Sequence, residues 1–244
     1  VLYLDSDIII NGDIAKLYNI DLQGKLLGAV RDIDFLGNLN VKHGKRMNYA
    51  KTVLKMQNPY DYFQAGVLVL NTKAMREHYT IRQWLTYASN PDFIYNDQDV
   101  LNAHCEGNVL YLPWEWNVVH DCGGRVGNLF VQAPNDIYDA YMKSRNNPEI
   151  IHYAGFQKPW TDPDCDFASI YWKYARETPF YERLLKRVVK ANESQISEGS
   201  FLPKHERAVG EDNPIRKFID PLMPIGSRRR DALKAIARVA RGRR

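Results

Sequence analysis

The chain has 244 residues, 45% of them apolar and 25% charged, which suits one large α/β domain and excludes a disordered or fibrous protein. No run approaches the ~18 consecutive apolar residues of a membrane span. Three cysteines without a Cys-x-x-Cys spacing make neither a disulfide framework nor a zinc knuckle, so a reducing compartment is expected.

The chain opens inside an apolar run, Val1-Leu2-Tyr3-Leu4, with no leader ahead of it, and is read as a fragment. Asp13 to Tyr18 forms a short amphipathic turn, and Lys45 to Met56 has helical composition that stops at Asn58-Pro59. Gly66 to Leu70, Asn108 to Leu112 and Glu149 to Tyr153 join the opening run as short buried strands. Between them Lys73 to Tyr87 reads as one helix with Thr72 as its N-cap. Asp97 to Cys105 reads as another, with acids at its start where the helix dipole favours them. Strands alternating with helices predict an α/β sheet.

Thr178-Pro179 predicts a helix start with Tyr181, Leu184, Leu185, Val188 and Val189 on one face. Residues 1–191 therefore read as the main domain, 192–213 as a polar linker, and 214–244 as an amphipathic basic segment. The net charge of +4 belongs to the end of the chain: residues 228–244 carry eight basic residues and one acid, which leaves −3 on residues 1–227. Leu233, Ile236, Ala237 and Ala240 recur at helical spacing among those arginines, the pattern of an interfacial helix drawn to an anionic membrane surface. Aromatics are absent from this tail, so nucleic acid is not an expected partner.

The strongest local signal is Asp5-Ser6-Asp7 directly after the first apolar run. Ligands bind at the carboxyl ends of strands in open α/β sheets, and two carboxylates there can share a hard divalent cation, Mn²⁺ or Mg²⁺, with a phosphate. The same pattern also suits a phosphatase with a nucleophilic aspartate followed by an acid/base aspartate, but the downstream acidic pair of that chemistry is absent. A second signal is His152-Tyr153-Ala154-Gly155-Phe156-Gln157-Lys158-Pro159-Trp160: a strand delivering a possible third metal ligand, a glycine permitting close backbone approach, and a lysine suited to phosphate. Trp114 and Trp116 are read as core rather than as a stacking platform for a sugar. His120, Cys122 and Cys165 lack the spacing of a soft-metal site.

In order, the Asp-x-Asp, the Phe63-Gln64-Ala65-Gly66-Val67 strand, the Asp97-Gln98-Asp99 helix start and the His-x-x-Gly-x-x-Lys-Pro-Trp segment resemble glycosyltransferase family 8. Tyr171 to Arg176 and Thr178 to Tyr181 are similar to its bacterial cell-envelope members. The resemblance implies a GT-A-like α/β fold with a mixed sheet flanked by helices. It implies a retaining, metal-dependent transfer of glucose or galactose from a UDP-sugar to a saccharide or glycolipid acceptor such as lipopolysaccharide. Asp5, Asp7 and His152 then match the metal ligands; Gly155 and Lys158 match the segment at the donor diphosphate. Gln64, Ala65 and Gly66 match the wall of the sugar pocket, Asp97 an acid that binds sugar hydroxyls, and Gln98 an amide near the anomeric carbon.

Two features depart from the family pattern. Gln64 stands where many members have Asn, and the N-terminal nucleotide-binding half that precedes the Asp-x-Asp strand is missing from the chain. The expected location is cytoplasmic, on the inner face of the plasma membrane. A non-catalytic saccharide- or membrane-binding remnant is the alternative outside enzymology.

Overall fold

The structure, a computed structural model, describes residues 1–197. Most of the segment read as a linker, and all of the basic segment from 214, lie outside the described residues. The chain divides into two units, Val1–Ala191 and Asn192–Arg244.

Two small sheets form the centre of the first unit. One has the order β1 (Leu2–Leu4), β4 (Phe63–Leu70), β3 (Leu27–Arg31), β5 (Val109–Tyr111); the other has the order β2 (Ile8–Ile10), β7 (Ile150–His152), β6 (Val118–Val119). β4 runs antiparallel to β1 and β3, whereas β3–β5 and β6–β7 are parallel, so the architecture is α/β with mixed pairing. The chain passes from one sheet to the other at Asp5-Ser6-Asp7. The Asp5 amide donates to the Gly66 carbonyl at 2.8 Å on the first sheet, and the Asp7 carbonyl accepts from the Tyr153 amide at 2.9 Å beside the second. Because β2 and β7 pair with Ile8 opposite His152, the register brings the histidine to this crossing.

Apolar side chains from both sheets share one core: Leu17, Val30, Val67, Val69, Trp116 and Ile150 are buried together, with Leu2, Leu4 and Ile8 packed against them. Trp114 packs against this cluster too, so both tryptophans serve the core, as the sequence suggests. β4 is buried on both faces, and Phe63, Ala65 and Leu68 face a second cluster covered by α4 (Thr72–His78), α5 (Ile81–Ala88) and α6 (Asn96–Cys105). A third cluster joins α2 (Ile33–Leu39), α3 (Arg46–Thr52) and α8 (Asn135–Ser144) through Phe35, Leu36, Tyr49 and Tyr141.

Several elements differ from the sequence reading. The expected helix from Lys73 to Tyr87 is two helices: Tyr79 is extended, and Thr80 restarts the chain with a capping box in which its side chain and that of Gln83 satisfy each other's backbone amides. Asn71, not Thr72, caps α4, because its side chain accepts from the Ala74 amide. The helix signalled by Thr178-Pro179 is α10 (Tyr181–Ser197), which continues into the segment read as linker, where neither proline nor glycine occurs before Gly199. Its apolar stripe is narrower than expected: Tyr181, Leu184 and Val188 pack on Cys165, Trp172 and Ala175, while Leu185 and Val189 are exposed. Among the described residues no helix is long and apolar enough to cross a membrane.

Candidate functional site

Asp5, Asp7 and His152 converge: one ligand atom from each lies within 4.8 Å of the others. The crossing between sheets supplies the two carboxylates and the end of β7 supplies the imidazole, whose side chain is buried. His152 Nε2 is 3.3 Å from Asp7 Oδ1 and 3.6 Å from Asp5 Oδ2. Gly66 makes room for this convergence, since a Cβ there would stand 2.4 Å from His152 Cε1 and 2.6 Å from Asp5 Oδ2.

The orientation of the imidazole follows from a chain of hydrogen bonds. The Gly66 amide donates to Gln64 Oε1, Asn117 Nδ2 donates to the same oxygen at 2.8 Å, and Asn117 Oδ1 therefore faces His152 Nδ1 at 3.0 Å as an acceptor. Nδ1 is thereby the donor to Asn117, and Nε2 is the atom aimed at the carboxylates, placed to hold either a proton donated to Asp7 or a cation. Two carboxylates and an imidazole nitrogen in such proximity repel unless a proton or a cation lies among them. That donor set fits Mn²⁺ or Mg²⁺.

Lys158 completes the cluster, donating to Asp7 Oδ2 and to the Tyr153 carbonyl. Burial alone would raise the Asp7 carboxyl, but its hydrogen bonds to His152 and Lys158 outweigh burial and hold it well below the usual carboxylate range. Tyr3 donates to Asp5 Oδ1 at 3.0 Å, and its phenol is raised chiefly by that bond; Asp97 adds to the effect from nearby. Asp97 itself is exposed at the start of α6.

Beside this cluster lies a cavity of about 300 Å³ lined by Asp32, Gln64, Gln98, Arg125 and Gly155 among others. Gly155 has φ +112°, and a Cβ there would meet Cys122 Sγ at 2.8 Å, so the bend after β7 needs glycine. Gln98 is held from both ends, with one acceptor site of its carbonyl left over: its Oε1 accepts from the Ala65 amide at 2.9 Å, and its Nε2 donates to Asp32 Oδ2 at 2.9 Å and to the Tyr62 hydroxyl at 3.2 Å. Ala65 thus contributes its backbone to the site.

The sequence reading missed a second carboxylate pair. Asp32 and Asp34 follow β3 as Asp-Ile-Asp, the same Asp-x-Asp after an apolar run that marks Asp5 and Asp7, and this was the signal that could have found them. Asp32 caps α2 by accepting from the Phe35 amide at 3.0 Å. Burial, and next the neighbouring Asp34, push its carboxyl up to about 6. Asp34 is paired with Arg125 at 2.7 Å, and Arg125 also donates to the Ala154 carbonyl at 2.8 Å. Also without an assigned role was Asp99, buried in the first turn of α6, which accepts from Tyr62 at 2.7 Å and from Tyr49, Ile94 and Tyr95. Cys122 and Cys165 are free and buried, and among the described residues they do not join His120 in a cluster of ligating side chains.

The model of the family described as glycosyl transferase family 8 matches residues 1–164. A lipopolysaccharide 1,2-glucosyltransferase of Escherichia coli (strain K12) is 27% identical over 66% of this chain and 44% of its own length. The glycosyltransferase GlyF of Streptococcus pneumoniae serotype 4 is 30% identical over 71% of this chain and 37% of its own. The chain thus spans less than half the length of these two relatives. Among solved structures, the bifunctional glycosyltransferase WbbM superposes with a TM-score of 0.71 at 31% identity, covering 77% of this chain and 34% of that one. The galactosyltransferase LgtC, solved with donor and acceptor sugar analogues, shares the fold at a TM-score of 0.53 and 23% identity, over 85% of this chain and 64% of that one. These neighbours establish a GT-A-like fold.

Proposed function

The chain belongs to glycosyl transferase family 8, and from that premise we propose that it carries the metal and sugar sites of a retaining hexosyltransferase. The donor is a UDP-hexose, glucose or galactose, and the acceptor a cell-envelope saccharide such as lipopolysaccharide. The observation that supports this most is the convergence of Asp5, Asp7, His152 and Lys158 beside the cavity that holds Asp32 and Gln98.

In this reading Asp5, Asp7 and His152 would hold a divalent cation, Mn²⁺ or Mg²⁺, which would supply positive charge to the donor diphosphate. Lys158 adds a positive charge where negative charge gathers as the anomeric C–O bond breaks. Gly155 lets the backbone approach the diphosphate, and Gln64, Gly66 and the carboxylates of Asp32 and Asp97 contact sugar hydroxyls. Gln98 is an amide and a poor nucleophile, so the acceptor hydroxyl attacks on the face the diphosphate leaves and gives its proton to that diphosphate. Gln98 supports the positive character at the anomeric carbon with its carbonyl dipole.

A phosphatase built on Asp5 would need Asp7 as a proton donor near neutral pH, and the depressed carboxyl of Asp7 argues against that role. The same proposal takes the basic residues 228–244 as the contact with anionic lipid on the cytoplasmic membrane face; vesicle sedimentation with and without that segment tests it.

The deciding experiment is calorimetric titration of UDP into the chain with and without Mn²⁺, beside an Asp5→Asn/Asp7→Asn variant. Binding that needs both metal and carboxylates supports the reading. Metal-independent binding, or none by the folded chain, favours a non-catalytic saccharide-binding role.

A further inference from the structure

Two aromatic residues that line the cavity, Phe35 and Tyr95, hold between them a cation that the proposed transfer does not use. Arg46 opens α3, and its guanidinium lies 4.8 Å from the ring centre of Tyr95, 5.2 Å from that of Phe35 and 5.8 Å from that of Tyr49. Tyr95 and Phe35 both line the cavity. One of its five N–H groups donates to the Tyr95 hydroxyl. The arginine–carboxylate pairs among the described residues are Arg31–Asp61, Arg125–Asp34 and Arg145–Asp166, so Arg46 has no acidic partner there. Lys42, His43 and Lys45, just before it in the chain, are exposed.

A guanidinium held by aromatic faces has its orientation fixed at the cost of one N–H, given to the Tyr95 hydroxyl, and the donors that remain suit a hold on phosphate or carboxylate oxygens. The acids at the cavity do not oppose an incoming anion strongly: Asp34 is already neutralised by Arg125, and Asp32 is capped by the Phe35 amide and the Gln98 amide. We propose that Arg46 recognises an anionic group, phosphate or carboxylate, carried by the acceptor saccharide. The acceptor class is thus an acidic sugar, and Lys42 and Lys45 add a field that draws it in. This rests on the reading of the cavity as a saccharide site.

The test is titration of glucose 6-phosphate, glucuronate and glucose into the chain in metal-free buffer, followed by NMR shifts of Tyr95 and Phe35. At least one acidic sugar is expected to bind about tenfold more tightly than glucose and to shift both rings. Arg46→Met is expected to remove that preference without changing glucose binding, and Arg46→Lys to restore part of it. The phosphate and carboxylate arms decide which group is read. Equal binding of all three sugars, a preference that survives Arg46→Met, or inorganic phosphate binding as well as glucose 6-phosphate would overturn the proposal. The Asp5→Asn/Asp7→Asn variant is expected to keep the preference while losing metal-dependent UDP binding, so the acidic-acceptor proposal and the donor-site reading fail by different results.

Discussion

Asn117 Oδ1 lies 3.0 Å from His152 Nδ1, and its own orientation is dictated by Gln64 and, through it, by the Gly66 amide. A backbone N–H on one sheet thereby decides which nitrogen of a histidine on the other sheet faces the carboxylates. Partners of this kind fix tautomer and ring orientation in metal sites. Asn117→Ala is expected to weaken Mn²⁺ binding about 10- to 100-fold while the fold persists, as measured by metal titration alongside circular dichroism. Unchanged affinity would show that the tautomer is set elsewhere.

Gly66 is the tightest point of the cluster. In Gly66→Ala the new methyl meets both His152 and Asp5 below van der Waals separation. The variant is expected to lose about 1–3 kcal/mol of stability in denaturant melts and to lose metal binding altogether, because neither neighbour can retreat without opening the triad.

Asp32 gives a dependence on pH. Its carboxyl sits at about 6 in the fold against 3.8 when free, so between those values the folded state binds the extra proton. The resulting cost to stability is absent below pH ~4, grows as pH rises, and is complete above pH ~6. Asp32→Asn keeps the α2 cap and removes the titratable charge, while its amide faces Gln98 Nε2 donor to donor, a loss that does not vary with pH. The variant is expected to gain on the parent by on the order of 2 kcal/mol between pH 4 and pH 7.5 in denaturant melts. A gap of the same size at both pH values would mean that Asp32 does not titrate in this way.

Asp99 gathers four donors, two tyrosine hydroxyls and two backbone amides, at a fully buried carboxylate. Because Tyr62 donates to Asp99, its oxygen is the acceptor for Gln98 Nε2. Asp99→Asn turns one acceptor into a donor facing other donors. It is expected to cost about 2–4 kcal/mol in thermal or denaturant unfolding and to broaden the side-chain amide signals of Gln98 in NMR spectra. Tyr62→Phe, which leaves Asp99 and its other three donors in place, is expected to produce the second effect with a smaller loss of stability.

Much of the frame was legible from apolar runs bounded by polar residues: β1, β5 and β7 fall within runs read as strands and β4 contains one, starting three residues earlier at Phe63, while α1 (Ile14–Tyr18) and α3 fall within expected helical stretches and α6 starts one residue before its own. Two of the missed strands carried the same signature: β2 is an isoleucine run between Asp7 and Asn11, and β3 an apolar run between Lys25 and Arg31, so both were legible and overlooked. β6 has only two residues, too few for the pattern to register. The split of α4 from α5 turned on reading Thr80 and Gln83 as a capping box inside what looked like one amphipathic stretch.

At the site, the sequence by itself determined the chemistry: carboxylates at a strand end, a histidine at another, a lysine after a glycine bend. These are local facts, fixed by residue type and by position at an element's edge. What only the tertiary structure decided is which of them meet. The antiparallel register of β2 on β7 brings His152 to Asp5 and Asp7 across about 145 residues of sequence. Asp32, the cap of α2, meets Gln98 of α6 only in the fold, and nothing in the spacing of the two segments links them. Burial then sets the protonation of Asp32, and hydrogen bonds set that of Asp7, in opposite directions. Asp7 and Asp32, which look alike as sequence, become different groups because one is hydrogen-bonded by an imidazole and a lysine and the other is buried beside a second carboxylate.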